Sequence, residues 1–288
     1  MWDKIAKQIS EVTGEKFERS DRRSVGGGCI NQGYCLRDGD RAYFVKLNRA
    51  AQIEMFQAEA LGLEEMWETH TIRVPKPICT GVEGNSAYIV LEWLDIGGGG
   101  KSQVAAEMGR QLAQMHQKAT RDKFGWEMNN TIGSTPQVNT WTADWVEFWR
   151  EHRIGFQLKL GRRKGGHFPQ GDRLLEAIPE LLAGHSPKPS LVHGDLWGGN
   201  ASSTRDGEPV IFDPATYYGD REVDLAMTEL FGGFSRAFYQ GYNEVWPVDP
   251  GYEQRKALYN LYHIINHFNL FGGGYESQAN SIISRLVR

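Results

Sequence analysis

A chain of 288 residues with 40% hydrophobic and 24% charged residues has ordinary globular composition, enough for one large domain or two coupled ones and too apolar for disorder. Its formal net charge of −4 supplies no global attraction to nucleic acid or anionic lipid, so neither is expected as a partner. Three cysteines, Cys29, Cys35 and Cys79, are too few and too scattered for a disulfide framework or a four-ligand zinc site, which points to a reducing compartment and an expected cytoplasmic location.

From the amino terminus, MWDKIAKQIS sets Trp2, Ile5, Ile9 and Val12 at helical spacing among charges, predicting an amphipathic helix rather than a signal peptide. No apolar run approaches the roughly 20 residues a membrane-spanning helix needs, so no membrane partner is expected. Asp38-Gly39 between two apolar stretches predicts antiparallel strands over 32–36 and 41–47, with Gly26-Gly27-Gly28 at the preceding turn. Residues 53–66 alternate apolar and charged positions at helical spacing. VPKPI is held extended by its prolines, and SAYIVLEWL reads as a strand. The predicted order is strand, strand, strand, helix, strand, strand. Four glycines at 97–100 break the pattern, and residues 103–117 open a mainly helical region in which strand signals return only around LVHGD and PVIFD. A boundary near 95–101 therefore divides a unit of residues 1–95 from one of residues 101–288.

Two glycine-rich stretches invite comparison with phosphate-binding loops. GGGGKS at 97–102 lacks the spacing of a P-loop and places Asp95 where the first glycine belongs, so a linker is the better reading. Gly26, Gly27 and Gly28, with Gly33 beyond them, lie between strands, which excludes a dinucleotide fingerprint. A glycine hairpin can nevertheless fold over a nucleotide and offer backbone N–H groups to its phosphates. Lys46 on the next strand and Glu59 thirteen positions later on the following helix match the lysine–glutamate pair with which kinases grip those phosphates. Lys46 alone reads better as a surface lysine on an edge strand, and Glu54 competes with Glu59.

In LVHGDLWGGN, Asp195 and Asn200 stand five positions apart, the spacing of a kinase catalytic loop in which Asp takes the hydroxyl proton and Asn holds magnesium. Thirteen residues further on, the apolar run Val-Ile-Phe ends at Asp213, where a second magnesium ligand belongs. Hard oxygen donors suit Mg²⁺, and a transition-metal site has no cysteine and histidine cluster to support it. ATP and Mg²⁺ are the implied cofactors.

The stretches GGGCI, FVKLN, MFQAEA, HGDLWGGN and FDPATYYGDREVDLAMTELFGGF resemble the fructosamine kinase (ketosamine 3-kinase) family over nearly the whole chain. The resemblance implies an α+β, protein-kinase-like fold of two lobes, a small antiparallel-sheet N-lobe and a larger, mainly helical C-lobe. It implies transfer of the ATP γ-phosphate to the sugar 3-hydroxyl of a ketosamine, small or protein-bound, a step that destabilises the adduct and frees the amine. Asp195 would be the base, Asn200 and Asp213 the magnesium ligands, and Lys46 with Glu59 the phosphate grip. Glu92, Trp93 and Leu94 would offer backbone hydrogen bonds to adenine, and Asp224 would brace the catalytic loop from below. Gly199 replaces the serine usual in the family's loop, a change expected to leave the chemistry undisturbed. Fructosamine, ribulosamine and erythrulosamine all remain open as substrates. An aminoglycoside- or choline-type kinase is disfavoured by the tryptophan loop and YYGDREVDLAM, and a non-catalytic nucleotide-binding regulator by the intact Lys46, Asp195, Asn200 and Asp213.

Four further features call for assignment. Trp197, two positions from the base, reads as a substrate contact through its aromatic face, with a loop-anchoring core residue as the alternative. Trp141, Trp145, Phe148 and Trp149 stand at helical spacing, which predicts core packing. Arg150, Arg153, Arg162, Arg163 and Lys164 read as a solvated face before a phosphate site. His193 braces the backbone of its loop, while Cys29, within the glycine loop, is a candidate reactive thiol.

Overall fold

The computed structural model describes residues 1–26, 30–97 and 102–288; Gly27, Gly28, Cys29 and the stretch 98–101, with most of the glycine linker, lie outside the described residues. The chain opens with helix α1 (Trp2–Thr13), followed by strands β1 (Asp21–Val25), β2 (Gln32–Asp38) and β3 (Arg41–Arg49), helix α2 (Ile53–Glu68), and strands β4 (Pro77–Glu83) and β5 (Ser86–Glu92). The strands form one antiparallel sheet in the order β1-β2-β3-β5-β4. The β2–β3 register pairs Asp38 with Arg41, so Gly39 and Asp40 make the turn; the positive φ of 58° falls on Gly39, the glycine-first form of a two-residue hairpin. Both strands run further than the 32–36 and 41–47 predicted from apolar content: β2 because its pairing with β3 continues through the polar residues beside the turn, and β3 because Asn48 and Arg49 pair with Ala87 and Ser86 of β5.

The period of two along β3 and β5 divides their side chains between two cores. Val45, Leu47, Tyr88 and Val90 face Ile5 and Ile9 of α1 together with Phe17 and Leu36. Ile89 and Leu91 face the other way and join Phe56, Leu63 and Met66 of α2. Lys46 is paired with Ile89 across the ladder and shares its face, so it turns towards α2. Because β3 is central in the sheet, Lys46 is not the edge-strand surface lysine that its sequence alone allowed; it is 5% exposed.

The remainder is mainly helical: α3 (Ser102–Lys118), α4 (Trp145–Phe148) continued by a π-helical turn (149–155), α5 (Phe156–Arg163), α6 (Gly171–Leu181), α7 (Glu222–Leu230), α8 (Arg236–Val245), α9 (Tyr252–Phe271) and α10 (Tyr275–Leu286). Six short strands interrupt it, of which sequence patterning signalled two: β6 (Asn130–Ile132) pairs with β7 (Thr135–Gln137), β8 (Ser190–Val192) with β11 (Tyr217–Gly219), and β9 (Ala201–Ser203) with β10 (Pro209–Ile211). At three residues each they are too short for a periodic signal. α3 and α8 cross at Gly109 and Gly241, where a Cβ on either would overlap a backbone carbonyl of the other helix.

The larger core runs without a break from α2 and β5 through Leu112, Phe148, Leu191 and Ile211 to Tyr259 and Ile265 of α9. Trp145, Phe148 and Trp149 belong to it as expected, but Trp141 precedes the helix and is only half-buried. Arg153 overturns the solvated-face reading for one member of the basic cluster. It is fully buried, with its guanidinium 4.0 Å from the Tyr217 ring and 4.5 Å from the Phe148 ring, and it donates to Val138 O (2.6 Å) and Asn139 Oδ1 (2.8 Å). The π-helical turn and the distant β11 make this pocket, and neither is visible in local charge spacing.

Candidate active site

The loop 193–200 leaves β8 and enters β9, while residues 212–216 leave β10 for β11, so the two small strand pairs lay these segments side by side. Backbone bonds fasten them: Phe212 N donates to Asn200 O (3.0 Å), and Ala215 N to His193 O (2.8 Å). His193 Nε2 donates to Phe212 O (2.9 Å), and its Nδ1 accepts from the Asp195 amide (3.2 Å). That pattern requires a neutral ring, which burial favours by lowering the pKa. Gly194 has φ 81°, and a Cβ there would overlap Ala215 O, so only glycine fits immediately before Asp195.

Asp224, on the first turn of α7, accepts the amides of His193 (2.7 Å) and Gly194 (2.8 Å) and meets His116 Nε2 at 3.0 Å. Burial alone would raise its pKa, but the His116 hydrogen bond and the neighbouring donors hold it below the ordinary value. His116, which sequence showed only as one more residue in the α3 stripe, reaches on to Tyr242 Oη (2.8 Å). Its partners lie more than a hundred residues away, so no local signal marked it.

Lys46 Nζ lies 2.6 Å from Glu59 Oε1 and also contacts Asp213 Oδ1. Burial pulls the lysine pKa down, yet the Asp213 and Glu59 carboxylates outweigh it and raise it above its ordinary value, so the ammonium is firmly charged. Glu59 shares the inward α2 face with Phe56, Leu63 and Met66, whereas Glu54 is exposed, which decides between the two glutamates.

Asp213 follows β10 by two residues instead of ending it, and has φ 59°; among the described residues only His70 shares a positive φ without being glycine. Such strain persists where surrounding contacts impose it and gathers at functional sites. Asn200 Nδ2 donates to Asp195 O (2.9 Å), Asp195 Oδ2 (3.2 Å) and Asp213 O (3.4 Å). With its nitrogen committed to the loop, Asn200 keeps Oδ1 as its remaining donor to a cation, and the Asp213 carboxylate belongs to the residue whose backbone oxygen Asn200 meets. This hard-oxygen set fits a magnesium ion and suits no softer metal. Burial and the nearby Asp213 carboxylate raise the Asp195 pKa well above the ordinary range, against a downward pull from Asn200.

The remaining expected residues divide. Trp197 is 42% exposed, which removes the loop-anchoring core alternative. Trp93, beside Phe44 and under the Arg23 guanidinium (5.5 Å from its ring), and Leu94 follow β5 at the sheet's end. Glu92 still belongs to the sheet: its amide donates to Lys76 O (2.8 Å) and its carboxylate accepts from Arg73 (2.5 Å), so the amide is already engaged. Gly26 follows β1, while Gly27 and Gly28 lie outside the described residues, as does Cys29.

A sheet lobe carrying a buried lysine–glutamate pair, set over a helical lobe with an Asp-x4-Asn loop and a following aspartate, defines a kinase-like phosphotransferase. The family model for fructosamine kinase matches residues 1–288, and the chain belongs to that family. It is 58% identical over 287 residues, covering 100% of this chain and 97% of the relative, to a probable ketoamine kinase of Synechocystis sp.. It is 48% identical over 270 residues, 92% of this chain and 78% of the relative, to the chloroplastic protein-ribulosamine 3-kinase of Oryza sativa subsp. indica. The crystal structure of a putative fructosamine-3-kinase from Haemophilus somnus matches 100% of this chain and 98% of its own with a TM-score of 0.93 at 32% identity.

Proposed function

We propose that this protein transfers the γ-phosphoryl group of ATP to the sugar 3-hydroxyl of a ketosamine, destabilising the adduct so that the amine is released. The observation that carries the reading is the convergence of Lys46, Glu59 and Asp213 with Asn200 and Asp195 at the junction of sheet and helical lobe. Lys46 is charged and held by Glu59, so it presents a fixed cation to the nucleotide phosphates. Trp93 and Leu94 supply the backbone contacts to adenine, and Gly26 with its glycine neighbours covers the phosphates. Asp213 and Asn200 would hold Mg²⁺, which would supply positive charge against the transferring phosphoryl group. Asp195 accepts the proton of the sugar hydroxyl as its oxygen bonds to phosphorus and the bond to the ADP oxygen breaks. Asp224 acts through the His193 and Gly194 amides by fixing the loop that carries the base. Trp197 stacks on the acceptor. Among the described residues no helix is long and apolar enough to cross a membrane, and the sparse cysteines suit a reducing, cytoplasmic setting.

The test is ATP consumption across fructosamines, ribulosamines and erythrulosamines, free and protein-bound, beside an aminoglycoside and choline, with phosphorus NMR locating the product phosphate. Phosphate on the sugar 3-oxygen of a ketosamine supports the reading. Turnover of the aminoglycoside or choline in preference to every ketosamine overturns it.

A further inference from the structure

The catalytic loop contains a contact that depends on the absence of one side chain. The six-membered ring of the Trp197 indole lies across Gly199: a Cβ built on Gly199 would overlap Cη2 and Cζ2 of that ring and stand 2.6 Å from Cζ3. The backbone beneath cannot yield. Trp197 N donates to Asp195 O (3.1 Å), Asn200 N to Trp197 O (2.9 Å), and the Asn200 side chain ties the turn to Asp195 and Asp213. On the other side, Gly198 is packed against the Gly232–Gly233 backbone, where its own Cβ would stand 3.2 Å from Gly232 O and 3.4 Å from Gly233 Cα. Any side chain at position 199 is therefore accommodated by the exposed indole.

We propose that Gly199 is a specificity-determining residue: by lacking a Cβ it lets the Trp197 indole fold down on the loop two residues from Asp195, and so sets the room available to the acceptor. The inference rests on the reading of this protein as a ketosamine kinase for the identity of that acceptor. The expectation that glycine at this position leaves the site undisturbed then holds for phosphoryl transfer but not for acceptor fit.

The experiment compares Gly199→Ala and Gly199→Ser with the parent, alone and in a Trp197→Ala background, using ketosamines of a small and a bulky amine. In the parent background the acceptor KM changes by about three- to tenfold, the scale of one aromatic contact, while the KM for ATP stays within about twofold. In the Trp197→Ala background the substitution at 199 has no further effect, since its route is gone. An equal effect in both backgrounds, or an unchanged acceptor KM in the first, overturns the proposal. Because the chain has nine tryptophans, the indole is also followed directly, as the emission and acrylamide quenching of each protein minus that of its Trp197→Phe counterpart. Quenching of Trp197 that is identical with glycine and alanine at 199 overturns the proposal whatever the kinetics. If the parent phosphorylates no ketosamine, the functional reading fails, while the quenching comparison still decides whether Gly199 governs the indole.

Discussion

Asp195 Oδ2 and Asn200 Nδ2 lie 3.2 Å apart, so the side chains of the candidate base and a candidate magnesium ligand are joined directly across a six-residue stretch of the loop. The bond requires a carboxylate oxygen on the Asp195 side. Asp195→Asn should leave nucleotide affinity intact and lower turnover by on the order of a hundredfold or more, as loss of a positioned base does. Turnover near that of the parent would move the base elsewhere.

The acid limb of activity follows from the same residue. Asp195 must be ionised to accept a proton, and its pKa is raised by burial and by Asp213, so protonation begins at a higher pH than for an ordinary carboxylate. The kcat/KM profile should therefore fall with decreasing pH through a group titrating above about 4, the unperturbed carboxylate range. A limb at or below that range would show that Asp195 does not titrate in the free enzyme.

Asp213 and Asp224 should separate binding from stability. Asp213→Asn keeps a residue tolerant of left-handed backbone and removes the charge; it should lose magnesium-dependent ATP binding by calorimetry while staying within about 1 kcal/mol of parent stability. Asp224→Ala leaves two buried amides and His116 unpartnered, and should cost about 3–5 kcal/mol in denaturant unfolding. Equal defects in both measurements would refute the division.

The depressed pKa of Asp224 also has a pH signature. The stability it contributes is fully present above its unfolded pKa, near about 4, and is lost as pH falls through its lower folded pKa. The stability gap between parent and Asp224→Asn should thus be constant at neutral pH and narrow only below that range. A gap that narrows near neutrality would implicate a histidine instead.

Arg153→Lys should destabilise by about 2–4 kcal/mol, because an ammonium cannot reproduce the planar fork that donates to Val138 and Asn139 while stacking on Tyr217. Unfolding midpoints of the two proteins check this, and an unchanged midpoint would mean that the cation–π stack adds nothing.

The parts of the site readable in sequence were those whose chemistry fixes a spacing: Lys46 with Glu59, and Asp195 with Asn200 and Asp213. The hairpin and the succession of strands and helix along residues 21–92 were equally plain, since turn residues and alternation are local. Residues that act across the fold were not readable. His116 is a helix residue until Asp224 arrives 108 positions later, and Arg153 is a surface charge until β11 slides Tyr217 beneath it. Of the three-residue strands that align the loop with Asp213, LVHGD and PVIFD signalled β8 and β10, while their partners β11 and β9 gave no signal. That the Glu92 amide is taken was not readable either, because backbone availability depends on which neighbour a strand end acquires, here Lys76.

Helix α2 is rooted in the helical lobe as firmly as in the sheet. Glu65, six residues after Glu59, accepts from Trp126 Nε1 (2.9 Å) and Tyr218 Oη (2.8 Å), and Gly62 lies so close to Thr216 that a Cβ would stand 2.5 Å from its hydroxyl. In regulated protein kinases the corresponding helix is the moving part, and its position controls whether the lysine–glutamate pair forms. Here a swing of α2 would break both Glu65 hydrogen bonds and open the core between the lobes. The contacts that hold Glu59 against Lys46 therefore come from both lobes, and parting the pair by moving α2 would cost those contacts as well.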